Sequence, residues 1–172
     1  VSGLLGYAFT CPDMIGGGDY SSFMDVSSDK LDQELIVRSA QCHALMPMMQ
    51  FSVAPWRVLN QTNHDAVKKA VALRQQFVPE IMKLADNAAK TGEPIVRNME
   101  YQFPEENFAE VKDQFMLGEN ILVAPMVTQG TQRDVKFPKG TWADADGKKY
   151  KGGKIISFDV PIDKLLWFRK IK

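Results

Sequence analysis

Leu4-Leu5-Gly6-Tyr7-Ala8-Phe9-Thr10-Cys11-Pro12-Asp13-Met14-Ile15-Gly16-Gly17-Gly18 is the stretch on which the fold turns. Leu4 to Phe9 have the length and aromatic content of a buried β-strand, and Pro12 ends the run because proline has no N–H to give to a ladder. Asp13 is therefore expected just past the strand's carboxyl end. The glycines behind it leave room for a ligand to approach the backbone closely. In α/β folds that end of the strand is where ligands bind. The same residues are equally compatible with a plain turn in which Asp13 caps neighbouring amides.

Working outward, Ser28-Asp29 supplies an N-cap for a helix over Leu31 to Met46, with Leu31, Leu35, Cys42 and Leu45 near one face. Glu34 and Arg38, four apart, can pair on the surface or turn inward. Pro47 ends that helix. Met48 to Val53 reads as a second buried strand, closed by Ala54-Pro55-Trp56. A right-handed crossover between two such strands brings Asp13 together with Gln50 to Trp56. A second, longer helix begins at Thr62-Asn63, and Val67, Val71, Phe77, Val78, Ile81, Leu84 and Ala88 form its apolar face. Pro79 is expected to kink it, and Gly92 and Pro94 to stop it. Two strand and helix pairs make roughly a quarter of a (β/α)8 TIM barrel.

From Pro94 the texture changes. Ile95 to Met99, Ile121 to Val127, Arg133 to Phe137, Ile155 to Phe158 and Leu165 to Phe168 are short β-rich runs. Turns such as Pro138-Lys139-Gly140 and Asp146-Gly147 separate them, the spacing of an antiparallel β-sandwich. The expected fold is thus α/β plus all-β. Residues 1–93 read as two β/α units, a quarter of a barrel if that is the architecture, and residues 94–172 as a sandwich.

Composition narrows the function classes. Lys+Arg and Asp+Glu are 21 each, so no net basic field exists to attract nucleic acid, and the expected partner is a neutral molecule or another protein. No apolar segment reaches the roughly 20 residues that span a bilayer. Cys11 and Cys42 lack metal-ligand spacing, so buried thiols are expected and neither a metal nor a cofactor is implied. There is no P-loop, Gly-x-Ser-x-Gly or HExxH motif. His43 and His64 lack a placed acidic or nucleophilic partner and are read as non-catalytic. Met46, Met48 and Met49 read as core filler, and Trp56 either stacks on a sugar or closes a rim. The sequence opens without Met inside a strand-like run, which reads as a piece of a longer chain.

The ordered blocks Pro12-Asp13-Met14-Ile15-Gly16-Gly17, Glu34-Leu35-Ile36-Val37-Arg38 with Gln41, and Met46-Pro47-Met48-Met49-Gln50 with Pro55-Trp56 resemble glycoside hydrolase family 31. The resemblance continues through Leu73-Arg74, Pro79, Gly92 to Arg97 and Phe103-Pro104. It runs on through Asp113 to Gly118, Leu122 to Pro125, Arg133, Pro138 to Trp142 and Gly152-Gly153. It implies a retaining α-glycosidase whose barrel is followed by a β-sandwich, and whose two catalytic aspartates stand roughly 5 Å apart. Both fall upstream of the region this chain resembles, so no catalytic residue is assigned within it. Asp13 matches the family's sugar-supporting aspartate. Gln50 and Ser52 stand where many α-glucosidases of the family carry Arg and His, and Gly17 stands where an aromatic often follows. These departures resemble α-galactosidase-like members, so glucose is not assumed over galactose.

The expected function is therefore a fragment of an α-glycosidase acting on α-glucosides or α-galactosides, with Asp13, Gln50 and Ser52 binding the carbohydrate substrate. Its expected partner is the missing N-terminal part of the barrel, and this chain alone is expected to be inactive and either poorly soluble or self-associating. The alternative is a non-catalytic carbohydrate-binding or scaffold module.

Overall fold

The computed structural model describes residues 2–10, 12–16 and 31–172. Ser28-Asp29, Cys11 and Gly17-Gly18 lie outside the described residues. Helices α1 (Gln33–Ala44), α2 (Pro55–Val58) and α3 (Gln61–Thr91) are followed by β1 (Val96–Asn98), α4 (Met99–Gln102), β2 (Phe115–Leu117) and β3 (Ile121–Ala124). Then come β4 (Gln132–Phe137), β5 (Thr141–Ala143), β6 (Lys149–Lys151), β7 (Lys154–Asp159) and β8 (Leu166–Lys170).

The strands form two antiparallel sheets. One has six strands in the order β1-β2-β3-β8-β5-β6 and the other pairs β4 with β7. The six-stranded sheet is covered on both faces, and its central strand shows how. All four residues of β3 are buried. Leu122 and Ala124 join Met116, Val135, Phe137, Trp142 and Phe168 in the layer between the sheets. Ile121 and Val123 instead meet Phe77, Ile81 and Ala88 of α3. A strand buried on both faces reads as a continuous apolar run, as Ile121 to Ala124 does. Phe137 anchors the first layer, with Phe168 edge-on at 4.7 Å and Tyr150 stacked at 5.8 Å. Across the sheet, Phe77 of α3 meets Trp167 of β8 edge-on at 5.0 Å.

Polar ties close the sandwich. Arg133 Nε donates to the Pro125 carbonyl at 3.0 Å, and its terminal nitrogens bind the Asp113 side chain and carbonyl at 2.6 and 2.5 Å. Gln114 donates to the Lys136 carbonyl and accepts from the Lys136 amide, imitating one rung of a ladder. The Trp142 indole N–H donates to Pro138 O at 2.9 Å. A Cβ on Gly152 would meet that same carbonyl oxygen at 1.8 Å, so only glycine fits there.

The first half differs from expectation in four respects. Leu4 to Phe9 is not a strand. Ser2–Leu5 is a single 3-10 turn closed by Gly6 N→Gly3 O and Tyr7 N→Ser2 O. No neighbouring backbone among the described residues takes its ladder bonds, and Leu5 and Tyr7 are 70% and 66% exposed. The second expected strand contracts to one parallel bridge, Ile15 to Phe51. Closure of a barrel is therefore not seen in this chain. Helix α1 is capped by Asp32, whose side chain accepts from Leu35 N at 2.9 Å. Its buried stripe is Ile36, Val37, Ala40 and Ala44 rather than Leu35, because the small alanines pack against Ala66 and Ala70 of α3. Helix α3 starts at its Asn60 cap, continues through Pro79, and ends at Gly92 in the left-handed region.

Arg38 takes the inward alternative. It is buried and donates to the carbonyls of Gly130, Val160 and Pro161 at 3.0–3.2 Å. Glu34 stays 3.6 Å from its Nε. Gln41 adds a bond to Ile162 O at 2.6 Å, so α1 grips the loop leading into β8. Among the described residues no helix is long and apolar enough to cross a membrane.

Candidate functional site

The Ile15–Phe51 bridge organises the site. Ile15 N donates to Gln50 O at 2.8 Å, Ser52 N donates back to Ile15 O at 3.0 Å, and the Ser52 hydroxyl donates to the same oxygen at 3.2 Å. Ile15 is 1% exposed and packs with Val37, Ala40 and Val67, so burial of this one side chain pins both segments to the helices. Gly16 keeps the approach close. It has φ +78°, and a Cβ there would lie 2.5 Å from Val53 Cγ1.

Asp13 stands two residues before the bridge, exposed, with Oδ1 accepting from Met14 N at 2.8 Å. The amide-capping reading is thus part of what is observed. It leaves Oδ2 without a partner among the described residues. A carboxylate held by one oxygen and open at the other is an oriented acceptor for a hydroxyl, stronger than a neutral one because it is charged. Gln50 is exposed and Ser52 half-buried. The backbone brings the three residues onto adjoining segments, but no hydrogen bond joins their side chains to one another among the described residues.

Of the three, only Ser52 lines the nearby groove of about 520 Å³, which runs from Phe51 past Trp56 to His64, Val67 and Gln75. Trp56 is 72% exposed on its rim. A second cleft of about 360 Å³ reaches Thr10, Pro12, Cys42 and Met46 beside Arg97 and Asp113. Cys42 carries a free thiol that burial pushes up to about 11, which leaves it protonated and unreactive near neutrality. Among the described residues no cluster of His, Cys, Asp and Glu is arranged to hold a metal.

Two residues acquire roles that sequence reasoning did not assign. His43, read as lacking an acidic neighbour, feels the charge of Asp13. Burial lowers its pKa while Asp13 pushes it back up, and its Nδ1 has no hydrogen-bond partner among the described residues. Arg74, noted only within a sequence block, aims its guanidinium at the end of α1 and the segment that follows. Its partners are main-chain carbonyls, which leave no signature in sequence.

Comparison with known proteins gives a consistent result. Residues 92–170 match the model of the glycosyl hydrolase family 31 C-terminal domain. The myogenesis-regulating glycosidase of Mus musculus is 35% identical over 93% of this chain and 23% of its own length. Alpha-glucosidase 2 of Bacillus thermoamyloliquefaciens is 33% identical over 92% of this chain and 20% of its own. Among solved structures, a family 31 alpha-xylosidase from a soil metagenome, complexed with xylose, superposes with a TM-score of 0.84 at 26% identity. That superposition covers 98% of this chain and 28% of the xylosidase. The chain thus spans under a third of each of these proteins.

Proposed function

Since the chain belongs to glycoside hydrolase family 31, we propose that it is the part of a retaining α-glycosidase that supplies Asp13, Gln50 and Ser52 to the sugar site. Residues 1–93 contribute the last two β/α units of a (β/α)8 barrel, and residues 94–172 are the sandwich that braces them. Bond cleavage belongs to two aspartates outside this chain, one acting as nucleophile and one as acid/base. The substrate is an α-glucoside or α-galactoside. The observation that supports the reading is the hydrogen-bonded bridge joining Ile15, two residues after Asp13, to Gln50 and Ser52, within a chain whose relatives include glycosidases.

Asp13 Oδ2 accepts one sugar hydroxyl, and the amide held by Oδ1 fixes its direction. The Gln50 amide offers a donor and an acceptor to a neighbouring hydroxyl. Ser52 is smaller than the histidine that many α-glucosidases of the family carry, which opens space around the sugar's outer hydroxyls. An epimer that leaves one of these groups unpaired is rejected.

The test is turnover of nitrophenyl α-glucoside and α-galactoside by this chain and by the full-length protein that includes the preceding barrel. The full-length protein is expected to cleave one of them with retention of configuration, and this chain alone to cleave neither. Turnover by the chain alone would contradict the placement of the catalytic carboxylates. Sugar binding by a full-length protein that cleaves neither glycoside would favour a non-catalytic carbohydrate-binding module.

A further inference from the structure

The segment carrying Gln50 and Ser52 is not part of a sheet, so what holds it in place has to be found elsewhere. One anchor is the bridge to Ile15. The other is Arg74, projecting from the middle of α3. Its Nη1 donates to Ala44 O at 3.2 Å and Met46 O at 2.6 Å, with His43 O at 3.5 Å, and its Nη2 donates to Pro47 O at 2.8 Å. His43 and Ala44 end α1, where carbonyls have no helical partner and the helix dipole is negative. Met46 and Pro47 lie beyond that end. Gripping both sets fixes the direction in which the chain leaves the helix, and Gln50 follows three residues after Pro47. Pro47 has no N–H with which to anchor itself. The planar fork of arginine suits this task, since it presents five donors in fixed directions and lysine presents a single point. Arg74 is half-buried and its charge is met by carbonyl dipoles, with burial lowering its pKa.

We propose that Arg74 is a positioning residue for sugar recognition, holding the 46–47 turn so that Gln50 and Ser52 meet the sugar beside Asp13. This rests on the reading of those three residues as sugar-binding. The conservative variant Arg74→Lys keeps the charge and the fold, whereas Arg74→Met removes the clamp outright.

Residue-resolved amide hydrogen exchange on the full-length protein that includes this chain reads the contact directly. In Arg74→Lys the amides of Met46, Ile15 and Ser52 should exchange about tenfold faster or more, as expected for losing charged hydrogen bonds. Those of Leu122 and Phe168 in the sheet should be unchanged. Equal acceleration everywhere, or none at the three reporters, would overturn the proposal. In the full-length glycosidase Arg74→Lys should raise KM about tenfold with kcat nearly unchanged, the mark of lost ground-state binding. Unchanged kinetics in Arg74→Lys beside a crippled Asp13→Ala would overturn the positioning role alone. Unchanged kinetics in both would overturn the sugar-site reading beneath it.

Discussion

The two tryptophans that follow prolines mark the contrast between the halves of this molecule. Trp142, four residues after Pro138, is 0% exposed, hydrogen-bonded through its indole and ringed by Phe103 and Phe137. Trp56, next to Pro55, stands in solvent on the rim of an apolar groove. The same division runs through the chain. In the sandwich each of the strands β1 to β8 is paired on one or both sides. Before residue 60, Leu4, Leu5, Tyr7, Phe9 and Leu35 are exposed and one bridge replaces two expected strands. An apolar, β-prone run becomes a strand only where a neighbouring backbone accepts its hydrogen bonds. The sandwich supplies its own neighbours, and the first half offers its apolar faces outward.

The contrast is broken most severely at Trp142. Trp142→Ala should cost about 3–5 kcal/mol in chemical denaturation, because it empties the inter-sheet layer. A cost below 1 kcal/mol would mean that the layer is not the stabilising core. Arg38→Met should come next, at about 2–4 kcal/mol, since it leaves buried carbonyls of the 160–161 loop without donors. Its denaturation midpoint should fall while the m-value stays constant, provided the halves unfold together.

These two residues also show what sequence could reveal. The sandwich was legible because β3, β4, β7 and β8 are long enough for alternation or a continuous apolar run to register, and because Pro138-Lys139-Gly140 and Asp146-Gly147 announce turns. Strands β2, β5 and β6 escaped, at three residues each. The approach of the Asp13 segment to Gln50 and Ser52 was expected from two paired strands, but the strand over Leu4 to Phe9 is absent and the approach is made by the Ile15–Phe51 bridge alone. Arg38 was ambiguous, because spacing of four from Glu34 says that two side chains share a helix face and not which way it points. Arg74 was invisible as a clamp, since carbonyl partners have no residue identity.

A smaller effect concerns pH. The Tyr150 hydroxyl is raised from 10.0 to about 12 by burial, then by its hydrogen bond to Asp144. The folded state thus holds this proton longer than the unfolded chain does. The contribution is complete below pH 10 and lost as pH rises towards about 12. Thermal melts of Tyr150→Phe should lack the part of the alkaline loss that the parent shows over that window. An identical slope in both would remove the assignment. Smallest of all, Trp56→Ala should change stability by no more than about 0.5 kcal/mol, as an exposed side chain does. A loss comparable to that of Trp142→Ala would erase the distinction between the halves.

The central claim is that Asp13, at the bridged edge of the less self-contained half, grips the sugar. Steady-state glycosidase kinetics of Asp13→Ala in the full-length protein that includes this chain test it most directly. Loss of a charged hydrogen bond to a reacting sugar predicts kcat/KM lower by about a hundredfold or more, with the melting temperature of the protein unchanged. Kinetics within a factor of two of the parent would contradict the account.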